Sequence, residues 1–521
     1  MSDVLRSYSG VSLSRRRRHK RGRRWRWILL FVALVALLTL WITRDSHPIG
    51  TLLPADQRYH LYIADPLETR MRLGQSQIWS LAPKGSVWAG IPERLLKGPG
   101  MPEWILNNIF NGPCHVSGTD LENFTDPLLL TRMSRIGCLV EKLHWAIPGV
   151  ENDYAGGLRL RRIPDAGVYY AVRGRIFALS TSRAALINAL TLTSDKQTDP
   201  EGLMRGMTDM GANDLACRVD LEEDVPLGEA IDNLRLGLRI APAGMRLQCR
   251  MTLRPAWRER TAILLDGVAP RELKCPPDGL LVAAMDFDKP LPEVLMAVGD
   301  ILGDGWGTAI FAENHEAEKE NSDPIRLFLT TLLHAAGTEL RLVWRGMDQN
   351  EMLPVPELIF FSDTDPERAR ARFATIPPPP PNTPPWEMIP RYDAEHALLW
   401  LPMIGGPSMQ PLAGLRGREL VVSSSRPLGE VILAQAPESE PVPQPGNLYI
   451  KVRPHPSARE FTDAAAQLAA FGLIRGHDEV SFRQAAETWL ESARLVRDIA
   501  FLAFHENGEI CLDVRVTMTG E

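Results

Sequence analysis

Hydrophobic positions along the chain fall into three kinds of pattern. The first is a run from Trp27 to Thr43, seventeen consecutive residues without a charge and almost all Leu, Val, Ala, Ile, Phe or Trp. As a helix this run spans roughly 25 Å, the short end of what crosses a hydrocarbon core, and it predicts a transmembrane anchor over 27–43. Trp25, Trp27 and Trp41 stand at its two ends, where interfacial aromatics belong. A cleaved signal peptide is the competing reading, but TLWITRDSHP offers no small-x-small cleavage pattern.

The second pattern is strict alternation. LRLGLRI and MRLQCRMTLR place apolar and polar residues on opposite sides and are joined by APAG, which predicts an antiparallel hairpin with one buried and one wet face. Cys217 and Cys249 fall on the apolar side. Arg235, Arg239, Arg246, Arg250 and Arg254 fall on the wet side. The third pattern is helical spacing, which predicts helices over Phe124 to Trp145, Ala184 to Leu190, Leu227 to Asn233 and LPEVLMAVGDIL. Further helices are expected from Pro366 and from Ser481 to about Arg497. The run Pro377 to Pro381 is expected to be an extended spacer.

Order along the chain adds a repeat. RGRIFALSTSRAALINAL and RGRELVVSSSRPLGEVIL align without gaps, each reading Gly-Arg, an apolar stretch, Ser-x-Ser-Arg and then a helix. Pro54-Ala55-Asp56 and Pro276-Pro277-Asp278 open the two halves, and Asn507-Gly508 joins a closing hairpin in the second. The expected fold is therefore α+β, with one N-terminal transmembrane helix followed by two tandem repeats of an antiparallel sheet-plus-helices unit. The expected domains are a basic tail (1–26), the anchor (27–43), a first repeat (50–265) and a second (272–521).

Charge orients the anchor. Ten Lys or Arg precede Trp27 against the single acid Asp3, so the N-terminus is expected in the cytoplasm of a single-pass inner-membrane protein, with the bulk of the chain periplasmic or extracellular. Although the whole chain has a net charge of −6, the part behind Trp27 carries −15, which argues against a nucleic-acid partner. Lipid, glycan and envelope proteins remain as expected partners, alongside the membrane itself.

Candidate chemistry is sparse. Ser180, Ser182, Arg183 and their counterparts Ser423, Ser425, Arg426 lie between a strand and a helix. They read as helix caps, as an anion site at a helix N-terminus, or as a serine nucleophile, though the Gly-x-Ser-x-Gly elbow is missing. The five hairpin arginines read as a solvated face or as a site for an anionic glycan, headgroup or acidic partner. Six cysteines permit disulfides in an oxidising compartment, with Cys217 and Cys249 as the candidate pair and buried thiols as the alternative. Histidines are scattered without ligand spacing, no phosphate loop or dinucleotide fingerprint occurs, and no metal or cofactor is expected. Asn123-Phe124-Thr125 matches a glycosylation acceptor.

The Leu53-Pro54-Ala55-Asp56 start, the segment YYAVRGRIFALSTSRAALINAL and its second copy RGRELVVSSSRPLGEVIL together resemble a bacterial envelope family of unknown function. The resemblance implies membrane-anchored, duplicated α+β proteins and brings no catalytic residue with it. Function is accordingly expected to be a non-enzymatic envelope scaffold or binding protein. The alternatives are a lipid or lipoprotein handling module with an apolar cavity and a serine-dependent hydrolase.

Overall fold

The computed structural model describes residues 29–34, 37, 39–40, 47–81, 102–120, 126–142, 149–197, 213–225, 227–302, 323–348 and 353–519. Two compact units are present: Met1–Glu68 with Pro99–Arg205, and Thr69–Gly98 with Gly206–Glu521.

In the first unit, β1 (Tyr59–Ile63), β2 (Cys114–Gly118), β3 (Leu128–Arg132), β4 (Glu151–Ala155), β5 (Leu158–Ile163), β6 (Val168–Arg173) and β7 (Ile176–Ser180) form an antiparallel sheet. Its strand order is 1-2-3-7-6-5-4. Helix α1 (Pro66–Gln75), of which only the first three residues belong to this unit, follows β1, while α2 (Glu103–Ile109) precedes β2, α3 (Arg135–Lys142) follows β3 and α4 (Arg183–Leu190) follows β7. Three consecutive leucines explain the layering. Leu128 and Leu130 enter a core with Ile176, Ala178 and, from α4, Leu186 and Ala189. Leu129 points the other way, to Phe177, Tyr170 and, from α3, Cys138. A strand buried on both faces reads as a continuous apolar run, and so the helix expected over Phe124 to Trp145 is instead β3 followed by α3.

The second unit contains β8 (Leu215–Asp220), β9 (Ile231–Ala241), β10 (Gly244–Leu253), β11 (Lys274–Cys275), β12 (Leu281–Asp286), β13 (Glu339–Asp348), β14 (Val355–Asp363) and β15 (Arg391–Asp393). It continues with β16 (Leu398–Trp400), β17 (Leu412–Arg416), β18 (Glu419–Ser423), β19 (Glu440–Pro441), β20 (Leu448–Val452), β21 (Val496–Glu506) and β22 (Glu509–Met518). Apart from the short β11–β19 ribbon, these pair antiparallel in the order 8-9-10-22-21-20-12-13-14-18-17-16-15. The segment 12-13-14-18-17-16-15 has the same connectivity as the sheet of the first unit.

Helices α5 (Pro255–Leu265), α6 (Leu291–Leu302), α7 (Pro324–Ala335), α8 (Pro366–Phe373), α9 (Arg426–Ala434), α10 (Pro454–Ala470) and α11 (Glu479–Arg494) belong to this unit. One core joins α6, α7 and α8 through Leu291, Phe328, Leu332 and Phe373 to Leu399 and Leu420 of the sheet. The opposite core joins Ile432 of α9 to Val282, Ile359 and Val421.

The expected architecture is corrected on two points. No helix among the described residues is long and apolar enough to cross a membrane. The basic tail 1–26 and residues 27–28, 35–36, 38 and 41–43 of the expected anchor lie outside the described residues. Nor do the two expected repeats form separate sheets, because β10 hydrogen-bonds along its length to β22, from Gly244 opposite Thr517 to Thr252 opposite Glu509. The helix expected over Leu227 to Asn233 is a turn leading into β9. Asn123 lies outside the described residues.

Candidate functional site

The repeated Arg-Gly-Arg and Ser-x-Ser-Arg segments build the same local structure twice. Gly174 and Gly417, with φ of 64° and 65°, turn β6 into β7 and β17 into β18. The preceding arginines reach the far end of the next helix. Arg173 Nη1 donates to the Leu190 carbonyl at 3.4 Å, and Arg416 Nη1 donates to those of Ile432 and Gln435 at 3.0 and 3.1 Å. At the near end, Ser182 Oγ accepts from the Ala185 amide at 3.2 Å and Ser425 Oγ from the Leu428 amide at 3.4 Å. Ser180 and Ser423 accept from the amides of Ser182 and Ser425. Cation at the C-terminus, hydroxyl at the N-terminus and a left-handed glycine in the hairpin are what these elements need to close.

The last residue of the motif departs between copies. Arg183 forms a bidentate pair with Asp153, whose carboxyl is held below its ordinary range first by that hydrogen bond. Arg426 pairs with Glu430 and lies over the Trp400 ring at 5.0 Å. Every candidate serine thus has a backbone partner, and the hydrogen bonds of these serines among the described residues include no histidine or carboxylate.

Arginines of the β9–β10 hairpin meet the acids of β22 and its turn. Arg246 Nε donates to Asp513 at 2.9 Å, Arg235 pairs with Glu509, and Arg250 lies 3.7 Å from Glu506 and 3.9 Å from Glu509. Arg254 approaches Glu223 and Asp232, while Arg239 is exposed. Burial of Asp513 would raise its pKa, but the hydrogen bonds from Arg246 and Arg515 outweigh that and hold it low. Gln444 accepts from Arg515 at 2.7 Å above this face, which is therefore partly covered rather than wet.

Cys217 and Cys249 both pair in register with Leu236, one from each side. Two strand spacings of about 4.8 Å set them near 10 Å apart, beyond disulfide reach. All six cysteines are free thiols. Burial pushes Cys217 and Cys249 up to about 11, which leaves them unreactive.

The reverse side of the same strands departs most from expectation. Rows of apolar residues run in register across β9, β10, β22, β21 and β20. One row is Leu238, Leu247, Val514, Phe501 and Ile450, and the next is Leu236, Cys249, Leu512, Ala503 and Leu448. Except for Cys249, these side chains are half-buried rather than buried. The alternation was legible in the sequence. That its apolar side stays partly open was not, because openness depends on what packs above it. At the margin of these rows Phe461 of α10 stacks on Trp344, ring centres 4.6 Å apart.

Among the histidines, His60 and His115 meet inside the first unit, Nε2 to Nδ1 at 3.2 Å, with both side chains nearly excluded from solvent. Strand pairing of β1 with β2 brings together residues 55 apart in sequence, which no local spacing reveals. No group of three or more metal-ligating side chains occurs among the described residues.

No family model and no curated protein matches the chain. Similar solved structures include crystal forms III and IV of TP0453. Form III is 8% identical, with a TM-score of 0.25, over 43% of this chain and 88% of that one. Form IV is 10% identical, with the same TM-score, over 43% and 87%. Superpositions this loose extend no property of TP0453 to this chain.

Proposed function

We propose that the protein is a non-enzymatic binding protein whose ligand is a hydrocarbon chain, as in a lipid, lying on the half-covered apolar face of β9, β10, β22, β21 and β20. The observation that carries the reading is the in-register rows of Leu, Val, Ile, Phe and Ala left partly open to solvent. A contiguous apolar surface of this kind marks an interaction site. Chemistry of the face selects the occupant. Each of the five strands has a partner on both sides, so none of them is an edge strand offered to an added strand. The two rows carry a single aromatic residue and no Arg, Tyr or Trp to anchor a protein interface. What suits such a surface is a ligand without hydrogen-bonding demands, gaining about 0.8 kcal/mol for each methylene it buries. This reading takes up the lipid-handling alternative drawn from the sequence, with an open face in place of an enclosed cavity.

Titration of the full chain with a fluorescent fatty acid tests this. Saturable binding is expected, with Leu247→Glu weakening it by at least about tenfold because a carboxylate would be buried against the chain. Arg239→Glu, on the opposite face, should bind as the unaltered protein does. Equal binding by all three, or none by any, would overturn the reading.

A further inference from the structure

Between α10 and α11 lies a groove of about 520 Å³ lined largely by charged side chains. Its position ties it to the apolar face. Helix α10 leaves β20 through Arg453 and α11 returns to β21 through Leu495, so the end of the groove at His455 and Arg494 stands within a few residues of the strands that carry the apolar rows. Val452 and Ile499, opposite each other in register, close the β20–β21 pairing at that end.

The charges in the groove fall into two sets. Asp463 is engaged by Arg483 and lies 3.8 Å from Arg459, and Arg483 also holds Glu479 at 3.2 Å. Arg494, Glu487 and Glu491 form the other set and make no ion pair among the described residues. Arg494 Nε donates to His455 Nε2 at 3.2 Å, which spends one donor and leaves the terminal nitrogens of the guanidinium fork. Residues 487, 491 and 494 succeed one another at four and three positions on α11, and therefore share a face with neighbouring side chains about 5–6 Å apart.

A guanidinium whose terminal nitrogens make no ion pair among the described residues, beside two carboxylates of which the same holds, complements a ligand carrying both signs. The planar fork suits a phosphate, and the carboxylates suit an ammonium group. We propose that this groove seats the headgroup of a zwitterionic phospholipid of the phosphoethanolamine type, with its phosphate at Arg494 and its ammonium between Glu487 and Glu491. The proposal rests on the hydrocarbon-binding reading and adds headgroup choice to it. Exposed ion pairs contribute little affinity singly, so the groove discriminates among lipids that the apolar face retains.

The test compares short-chain lipids bearing phosphoethanolamine or phosphoglycerol headgroups, with free phosphoethanolamine as a third probe, all against the full chain. The phosphoethanolamine lipid is expected to bind about five- to tenfold more tightly than the phosphoglycerol lipid, a difference of about 1 kcal/mol. Glu487→Gln with Glu491→Gln should abolish that preference by weakening only the phosphoethanolamine lipid. Arg494→Gln should weaken both. Equal binding of the two lipids, unaffected by Arg494→Gln, would overturn the headgroup site and leave the apolar face standing. Free phosphoethanolamine binding as tightly as its lipid would assign the groove to a small solute and overturn the proposal. Failure of both lipids to bind would overturn the hydrocarbon reading as well.

Discussion

Glu419 illustrates how single residues hold this fold. Nine-tenths buried, it accepts from Arg341 and Arg416 at 2.5 Å each, and both guanidinium groups lie over the Phe361 ring at 5.6 and 5.5 Å. Removing the carboxylate would leave two cations facing each other, so Glu419→Ala should cost about 3 kcal/mol in a denaturant titration. The capping serines act more gently. Ser182→Ala and Ser425→Ala should each cost about 1 kcal/mol and leave ligand binding unchanged. His115 gives the protein a pH dependence. Burial first, then Arg132, lowers its pKa to about 4 from the 6.5 of a free side chain. The unfolded chain therefore takes up this proton more readily than the folded one. Its contribution is complete above pH 6.5 and is lost as pH falls through 4, by up to about 3 kcal/mol. Denaturant titrations across that window should show the loss, and His115→Gln should flatten it.

At the scale of elements, alternation and capping carried most of the legible information. The β9–β10 hairpin, α6, α8 and the strands around RGRIFALS and RGRELVVS all follow from local pattern, because each is amphipathic along its own length or closed by its own residues. Leu128 to Leu130 failed the same reasoning, since a strand between two cores has no polar face to set a period. The glycine turns of the repeat are local devices as well. No atom lies within 4 Å of a Cβ placed on Gly174's counterpart Gly417, so Gly417→Ala should cost only the left-handed backbone, about 1–2 kcal/mol by thermal unfolding.

Across the whole molecule, the arginine stripe and the acids of the closing hairpin form one face. Arg235, Arg246 and Arg250 are matched by Glu506, Glu509 and Asp513 because β10 and β22 are neighbours. Opposite charges in two distant hairpins were present in the sequence, but only their pairing gives them meaning. A chain cut after Leu265 would strip β10 of β22, and light scattering should then report aggregation through the bare edge. The apolar face was half legible in the same way. Its residues were identifiable from period-two alternation, whereas the rows become a surface only when β9, β10, β22, β21 and β20 align. The most direct test is photo-crosslinking of the full chain with a lipid carrying a photoreactive acyl chain, the adducts being mapped by mass spectrometry. Adducts on Leu238, Leu247, Val514 and Phe501 are the predicted result; adducts confined to the arginine face or to the first unit, or none at all, would contradict it.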